Sequence, residues 1–366
     1  MKIAFDAKRF FHNTSGLGNY SRDLVRILTE YFPENQYILL NKNKSDRGSS
    51  IVENPQVHFI QTSKGKFSRQ FKMGKDAQKQ NADIFHGLSG ELPLKWDKAP
   101  IKKVVTIHDL IFMRFPQYYS LIDRKIHFWK FKKAAAAADK IIAISEQTKK
   151  DIIHFLKVPE SKIEVIYQGC HHAFKEQQPE ELIQKAKKKF NLPARFILNV
   201  GTIEERKNLL NIVKAINKIP VPLVVVGRKT TYFNKIKKFI KKNEMEHQIQ
   251  FLENVSMEEL AVIYKLADIF VYPSFFEGFG IPVIEALFSN TVVITSNTSC
   301  LPEAGGNDSM YIDPENVLDI QSKIKFLWEN ESERKRRADK GFEFVHKFND
   351  EPIAKQLMNF YQKLLS

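Results

Sequence analysis

The sequence predicts an α/β protein of two domains, each a mostly parallel sheet with helices on both faces. Three observations point there. Short apolar runs alternate with amphipathic helical patterns along the whole chain, as expected of strands buried on both faces. The alternation breaks around Gln168–Phe174 and the polar Gln177–Glu181 with Pro179, then resumes in the same rhythm without a residue-level repeat. A length of 366 residues, with 43% apolar and 27% charged residues, suffices for two ordinary cores. The expected division is 1–175, 176–348 and a C-terminal helix over 349–366.

In the first half, Lys2–Asp6 reads as a strand, followed by a loop in which Ser15-Gly16-Leu17-Gly18 precedes a helix with Leu24, Ile27, Leu28 and Tyr31 on one face. The loop lacks the third glycine of the dinucleotide fingerprint and has no acidic partner at the fingerprint distance, which disfavours an NAD-dependent dehydrogenase. Further strands are expected at Tyr37–Leu40, Val57–Gln61, Ile84–His86, Lys103–Ile107, Ile141–Ile144 and Ile163–Ile166. Ligands of such sheets sit at the carboxyl ends of strands, so Asp6, His86, His108-Asp109 and Ser145 share one rim. His108 directly follows the strand and could donate to a substrate oxygen or be oriented by a carboxylate; packing under a loop is the competing reading. No zinc-site spacing occurs, and Cys170 and Cys300 are expected to stay reduced.

The net charge of +15 is uneven: residues 1–170 hold 29 Lys/Arg against 17 Asp/Glu (+12), and the rest 28 against 25 (+3). A basic N-terminal half points to an anionic membrane surface, a nucleic acid or a phosphorylated substrate, against a surface merely tuned for solubility. Lys64–Lys79 and Arg124–Lys133 mix cations with aromatics and could lie on an anionic leaflet. For the second stretch the competing reading buries Phe128, Trp129 and Phe131 in a core. No apolar run is long enough to span a membrane, and the start KIAFD reads as a strand rather than a secretory leader, so the cytoplasm is the expected compartment.

In the second half, strands are expected at Phe196–Val200, Val221–Val226, Ile249–Leu252, Ile269–Tyr272 and Val292–Thr295. Two connections stand out. After FILNV, Gly201 permits a tight exit and Arg206-Lys207 open a helix, where a fork and a point charge can clamp a diphosphate. After Ile269–Tyr272, Gly278 and Gly280 free the backbone and Pro282 suits the first turn of a helix from about Ile281. Early N–H groups of that helix suit an anion, and Glu277 and Glu285 frame it. The competing readings are a solvated Arg-Lys pair and an ordinary strand–helix turn with two solvated acids.

The segments GTIEERKN, EGFGIPVIEA, VIYQGCHHAF, VTIHDL and SGLGNYSRDL, in that relation, resemble family 4 of the retaining glycosyltransferases over nearly the whole chain. The paired glutamates and the RKN segment are the specific part, and the bacterial subgroup that builds surface polysaccharides, many of them mannosyltransferases, is the most similar. The resemblance implies the GT-B architecture, two Rossmann-like domains facing across a cleft, with a last helix returning to the first domain and a hinge that closes the cleft. It assigns Glu277 to the donor sugar and Glu285 to the nucleotide ribose. Arg206 and Lys207 would neutralise the diphosphate without a metal. Gly16 and Gly18 would approach the diphosphate, His108 the transferred sugar, and the backbone of Gly278, Phe279, Gly280 and Ile281 would add donors. Acceptor attack occurs on the face the phosphate leaves, so the carboxylate pair of glycoside hydrolases is not invoked. Many members carry arginine where this chain has Thr202, which puts more of the charge on Arg206 and Lys207.

The resulting expectation is transfer of a hexose, first of all mannose from GDP-mannose, to a lipid-linked glycan acceptor in polysaccharide or lipopolysaccharide biosynthesis. Expected partners are the nucleotide sugar, the saccharide acceptor and an anionic membrane at its inner face; no cofactor, metal or nucleic acid is expected. The alternatives are an epimerase or phosphorylase of the same plan, or a non-catalytic nucleotide-sugar-binding protein.

Overall fold

A computed structural model of the chain describes residues 1–14, 16–65, 67–96 and 100–366. It divides into two units, Met1–Gly169 with Phe348–Ser366, and Cys170–Lys347. Residues 170–175, assigned with the first domain on sequence, pack in the second: Phe174 meets Tyr264 edge-on, ring centroids 5.5 Å apart.

The first unit holds β1 (Lys2–Asp6), β2 (Gln36–Asn41), β3 (Val57–Gln61), β4 (Ile84–Gly87), β5 (Lys102–Ile107), β6 (Lys140–Ala143) and β7 (Ile163–Val165). The second holds β8 (Ile197–Val200), β9 (Leu223–Val226), β10 (Ile249–Leu252), β11 (Ile269–Tyr272), β12 (Val293–Ser296) and β13 (Met310–Ile312). All pairings are parallel, in the orders β3-β2-β1-β4-β5-β6-β7 and β10-β9-β8-β11-β12-β13. Runs such as LVVV and IFVY are buried at every position, because helices cover both faces of each sheet. The strand β13, a short edge strand with Met310 and Tyr311 only half-buried, has no counterpart in the sequence-based strand set. In both sheets the order reverses once, between β1 and β4 and between β8 and β11. Connections leave such a pair in opposite directions and open a crevice at its carboxyl end.

Caps fix several helices. Ser256 and Glu259 close a reciprocal capping box on Met257–Leu266, and Ser120 accepts from the Asp123 amide at the start of Leu121–Ala137. The last helix, Asp350–Leu365, buries Ile353, Leu357, Phe360 and Tyr361. It lies against helix Gly16–Tyr31, and its Asp350 pairs with Arg26 at 2.8 Å.

Neither basic aromatic stretch is uniform. Lys64–Lys79, of which Lys66 lies outside the described residues, folds as Ser68–Phe71 and Met73–Lys79, with Met73 buried and Phe67 and Phe71 exposed. In Leu121–Ala137, Phe128 and Phe131 pack on the core, whereas Trp129, expected with them under the core reading, is exposed. Among the described residues no helix is long and apolar enough to cross a membrane.

Candidate active site

The carboxyl ends of β8 and β11 bring together residues about 70 positions apart in sequence. The segment after β8 makes a tight turn over Glu205–Lys207, and Asn208, in the left-handed region at φ 59°, starts helix Leu209–Ile216. The Asn208 side chain is buried and donates to the carbonyls of Pro273 and Pro314 at 3.1 and 2.7 Å. The Phe275 amide returns a bond to the Arg206 carbonyl at 2.9 Å. These contacts lock the two loops to each other before any ligand is considered.

Glu277 is the centre of the arrangement. Its Oε1 accepts from Lys207 Nζ at 2.7 Å, Ser274 Oγ at 2.7 Å and Tyr272 Oη at 2.9 Å, and pairs with Arg206 Nη1 at 2.8 Å. Oε2 takes none of these. Lys207 also donates to the Tyr272 hydroxyl, and Arg206 to the Phe276 carbonyl (2.5 Å) and Glu204 (2.6 Å). Burial pushes the Glu277 carboxyl upward, but Lys207 and Arg206 overcome it and hold the group at about 2. Arg206 is held above its ordinary value despite its burial, chiefly by Glu277. Below the loop, the Cys300 thiol donates to the carbonyls of Glu277 and Phe279 at 3.1 and 2.9 Å.

Helix Ile281–Phe288 follows, with Pro282 in its first turn and Gly280 as the residue before it. Gly280 sits at φ 113°, which side chains rarely adopt, and a Cβ there would lie 3.1 Å from Leu301. Glu285, one turn in, is buried and accepts from the Tyr264 hydroxyl at 3.1 Å. Burial pushes its carboxyl up to about 7, with Tyr264 and the charge of Lys207 pulling only part of the way back. Two glutamates eight residues apart are thus driven in opposite directions, one fixed as an anion and one half-protonated near neutral pH.

In the first unit, the rim residues form a different arrangement. His108 Nε2 donates to the Leu88 carbonyl at 2.9 Å, which sets the tautomer and leaves Nδ1 as an acceptor. Burial, and the charge of Arg9 against the favourable Leu88 bond, bring its pKa down to about 4. Asp109 accepts from the Ile111 amide at 3.0 Å, closing a local turn, and the Leu88 carbonyl orients the His108 ring. Tyr20 stands edge-on to His108, centroids 4.6 Å apart. Its hydroxyl meets Thr106 Oγ1 at 3.1 Å, Thr106 meets His86 Nε2 at 2.7 Å, and His86 Nδ1 meets Tyr361 Oη at 2.7 Å. Burial takes His86 down to about 3. Asp6 is paired with Arg69 at 2.7 Å, and Ser145 caps the helix that starts at Glu146.

Gly16 and Gly18, expected in a loop before the helix, instead form the first turn of helix Gly16–Tyr31, and Ser15 lies outside the described residues. Gly18 is required by packing: its amide donates to Asn13 Oδ1 at 3.1 Å, and a Cβ would fall 2.1 Å from the Asn13 carbonyl oxygen. A Cβ at Gly16 would meet nothing within 4 Å.

Arg206, Lys207 and Glu277 therefore converge directly, Glu285 lies one helical turn beyond, and His108 belongs to the other unit's rim. Tyr272, Ser274, Asn208, Tyr264 and Cys300, which hold these groups, were not foreseen as such. Tyr272, ending an otherwise aliphatic and aromatic strand with its hydroxyl at the rim, carried the one readable signal.

The family model described as Glycosyl transferases group 1 matches residues 180–344, and that described as Glycosyltransferase Family 4 matches residues 16–174. The chain is 26% identical to O-antigen chain mannosyltransferase B of Escherichia coli, with all of both chains covered. Among solved structures, sucrose-phosphate synthase from Thermosynechococcus elongatus superposes with TM-score 0.80 at 21% identity, covering 100% of this chain and 99% of that one. HepE of Anabaena, in complex with UDP and glucose, superposes with TM-score 0.76 at 14% identity, with 99% of each covered.

Proposed function

The chain belongs to glycosyltransferase family 4 and has the GT-B fold, and from that premise we propose that it transfers a hexose from a nucleotide sugar to a glycan acceptor with retention of configuration. The O-antigen mannosyltransferase among its relatives makes mannose, carried as GDP-mannose, the first donor to consider, and a lipid-linked saccharide of a surface polysaccharide the first acceptor. Work at the inner face of a membrane follows from such an acceptor and from the basic N-terminal half.

The observation that carries this reading is the meeting of two cations and one carboxylate at the β8/β11 reversal. A nucleotide diphosphate gains negative charge as the bond from the sugar C1 to the phosphate oxygen breaks. Arg206 and Lys207, already desolvated and held in place, stabilise that charge without reorganisation. The diphosphate takes over the cations from Glu277, whose Oε2 then serves the sugar hydroxyls. The acceptor hydroxyl attacks C1 on the face being vacated and passes its proton to the departing phosphate oxygen, so no protein nucleophile or metal enters the scheme. Glu285 takes a ribose hydroxyl. His108 and the helix turn at Gly16–Gly18 are assigned to sugar and diphosphate by the family pattern, and the neutral His108 ring can accept from a hydroxyl at Nδ1.

Purified protein with GDP-mannose, with and without a mannose-bearing acceptor, tests the reading. The expected product keeps the donor's anomeric configuration and forms equally well in EDTA. An inverted product or a requirement for metal overturns the mechanism, and sugar interconversion without an acceptor would assign an epimerase.

A further inference from the structure

We infer that the outer face of helix Leu121–Ala137 docks the protein onto an anionic membrane surface. This helix carries apolar side chains on two sides. One side, with Phe128, Phe131, Ala134 and Ala135, packs on the first unit's core. The other has no such use: Ile122, Ile126 and Trp129, spaced i, i+4 and i+7, are 72%, 47% and 49% exposed, and Leu121 beside them 71%. Such side chains gathered at one place on a helix that already has its core face mark an interaction surface.

Charge decides which partner. The helix carries Arg124, Lys125, Lys130, Lys132 and Lys133 against the single acid Asp123. At helical spacing Lys125, Lys132 and Lys133 flank the apolar stripe. A second copy would set these lysines against each other, whereas anionic headgroups complement them while the apolar residues enter the acyl boundary and Trp129 sits at headgroup depth. Glu91 ties this helix to the other basic aromatic stretch, pairing with Lys130 at 3.3 Å and Arg69 at 2.6 Å. Exposed Phe67 and Phe71 flank Arg69 in sequence, and Lys95 lies 5.7 Å from the Phe71 ring, so cations accompany aromatics there too.

The placement also fits an acceptor carried in a bilayer. A helix connecting parallel β5 to β6 starts at the carboxyl edge of the sheet and returns to the amino edge. The most exposed apolar end, Leu121 and Ile122, therefore lies toward the edge that carries His108. Only this use rests on the glycosyltransferase reading. Docking itself needs neither donor nor acceptor, so its failure and the failure of that reading are told apart.

The test is sedimentation of the full chain with vesicles of phosphatidylglycerol and phosphatidylcholine, or of phosphatidylcholine alone. Binding is expected only to the first, and to weaken with added salt. The double variant Ile122→Gln/Trp129→Gln should lose about tenfold or more in partitioning, with its melting temperature and its transfer to a water-soluble acceptor unchanged. Trp129→Phe should still sediment but lack the blue shift of tryptophan emission that vesicles induce in the parent. Equal binding to both vesicle types, or an unaffected double variant, overturns the inference. A dimer in the parent that the double variant dissolves would assign the face to a second copy.

Discussion

At the carboxyl ends of β8 and β11, Arg206 and Lys207 close on an ionised Glu277; at those of β4 and β5, His86, Thr106, Tyr20 and Tyr361 join in a chain of neutral groups beside His108. The first place lies at the reversal of its sheet, whereas β4 and β5 pair one strand beyond theirs. Burial acts on both, yet with opposite results. Where two cations accompany the carboxylate, the charged form survives and is reinforced. Where the histidines meet carbonyls and hydroxyls, burial wins, with Arg9 opposing protonation of His108 and His108 that of His86, and the rings stay neutral. The fold provides the crevice, and the local partners decide whether it holds charge or exchanges hydrogen bonds.

The largest expected effect breaks the charged side. Lys207→Ala removes one cation that meets the developing diphosphate charge but leaves Glu277 paired with Arg206, so the fold should hold. Transfer efficiency kcat/KM should fall by about 10²–10³-fold, roughly 3–4 kcal/mol. Initial rates with the parent's best donor measure it, and a change under fivefold would remove Lys207 from the reaction.

Acid should separate the two regions. His86 and His108 have folded pKa values below the ordinary 6.5, so between that value and about 4 the unfolded chain takes up protons that the folded one refuses. Stability is present above 6.5 and is lost as pH falls, about 3 kcal/mol for His108 alone. Glu277, depressed to about 2, contributes stability above its unfolded value near 4.5 that disappears only as pH falls toward 2. Hydrogen exchange along the chain should therefore show the first unit's β4 and β5 loosening at a higher pH than β11. Urea titrations of His108→Gln should show a smaller loss between pH 7 and pH 4 than the parent.

Within the second unit, Glu285 gives the opposite sign. Its folded pKa is raised to about 7, so its contribution is fully present below 4.5 and is lost as pH rises from there through 7. The loss is about 3 kcal/mol, and Glu285→Gln should abolish it, making the variant more stable than the parent at pH 8 but not at pH 4.5. Equal differences at both pH values would show that Glu285 does not titrate in this window.

Much of this was legible before the structure, for a physical reason. Most strands are short apolar runs, as central parallel strands buried on both faces must be, and among the described residues twelve of the thirteen were visible; the short edge strand β13 was not. Arg206-Lys207 and Glu277 stood out because each follows a strand end. That one oxygen of Glu277 takes both cations, with Ser274 and Tyr272, depends on β8 lying beside β11, which no local pattern reveals. Helix Leu121–Ala137 was ambiguous because its apolar residues lie on both sides, so periodicity could not say which side meets the core.

The smallest effect concerns the neutral side. Tyr361→Phe deletes only the hydroxyl that meets His86 Nδ1 at 2.7 Å, leaving the ring and the packing of Asp350–Leu365 in place. His86 keeps its bond to Thr106 but leaves one buried ring nitrogen without a partner, a cost of about 1–2 kcal/mol in urea titration at pH 7. Because the ring is neutral, no buried charge is exposed by the change, so this loss should be smaller than that of Glu277→Ala, which takes the carboxylate from desolvated Lys207, leaves Arg206 with Glu204 alone, and should cost about 3 kcal/mol or more. The chain of bonds also makes the pair non-additive: with His86 already replaced by Phe, Tyr361→Phe should cost little further, since the hydroxyl has lost its partner before it is removed. Full additivity of the two losses would mean that Tyr361 and His86 are stabilised independently, and that the neutral groups do not act as one network.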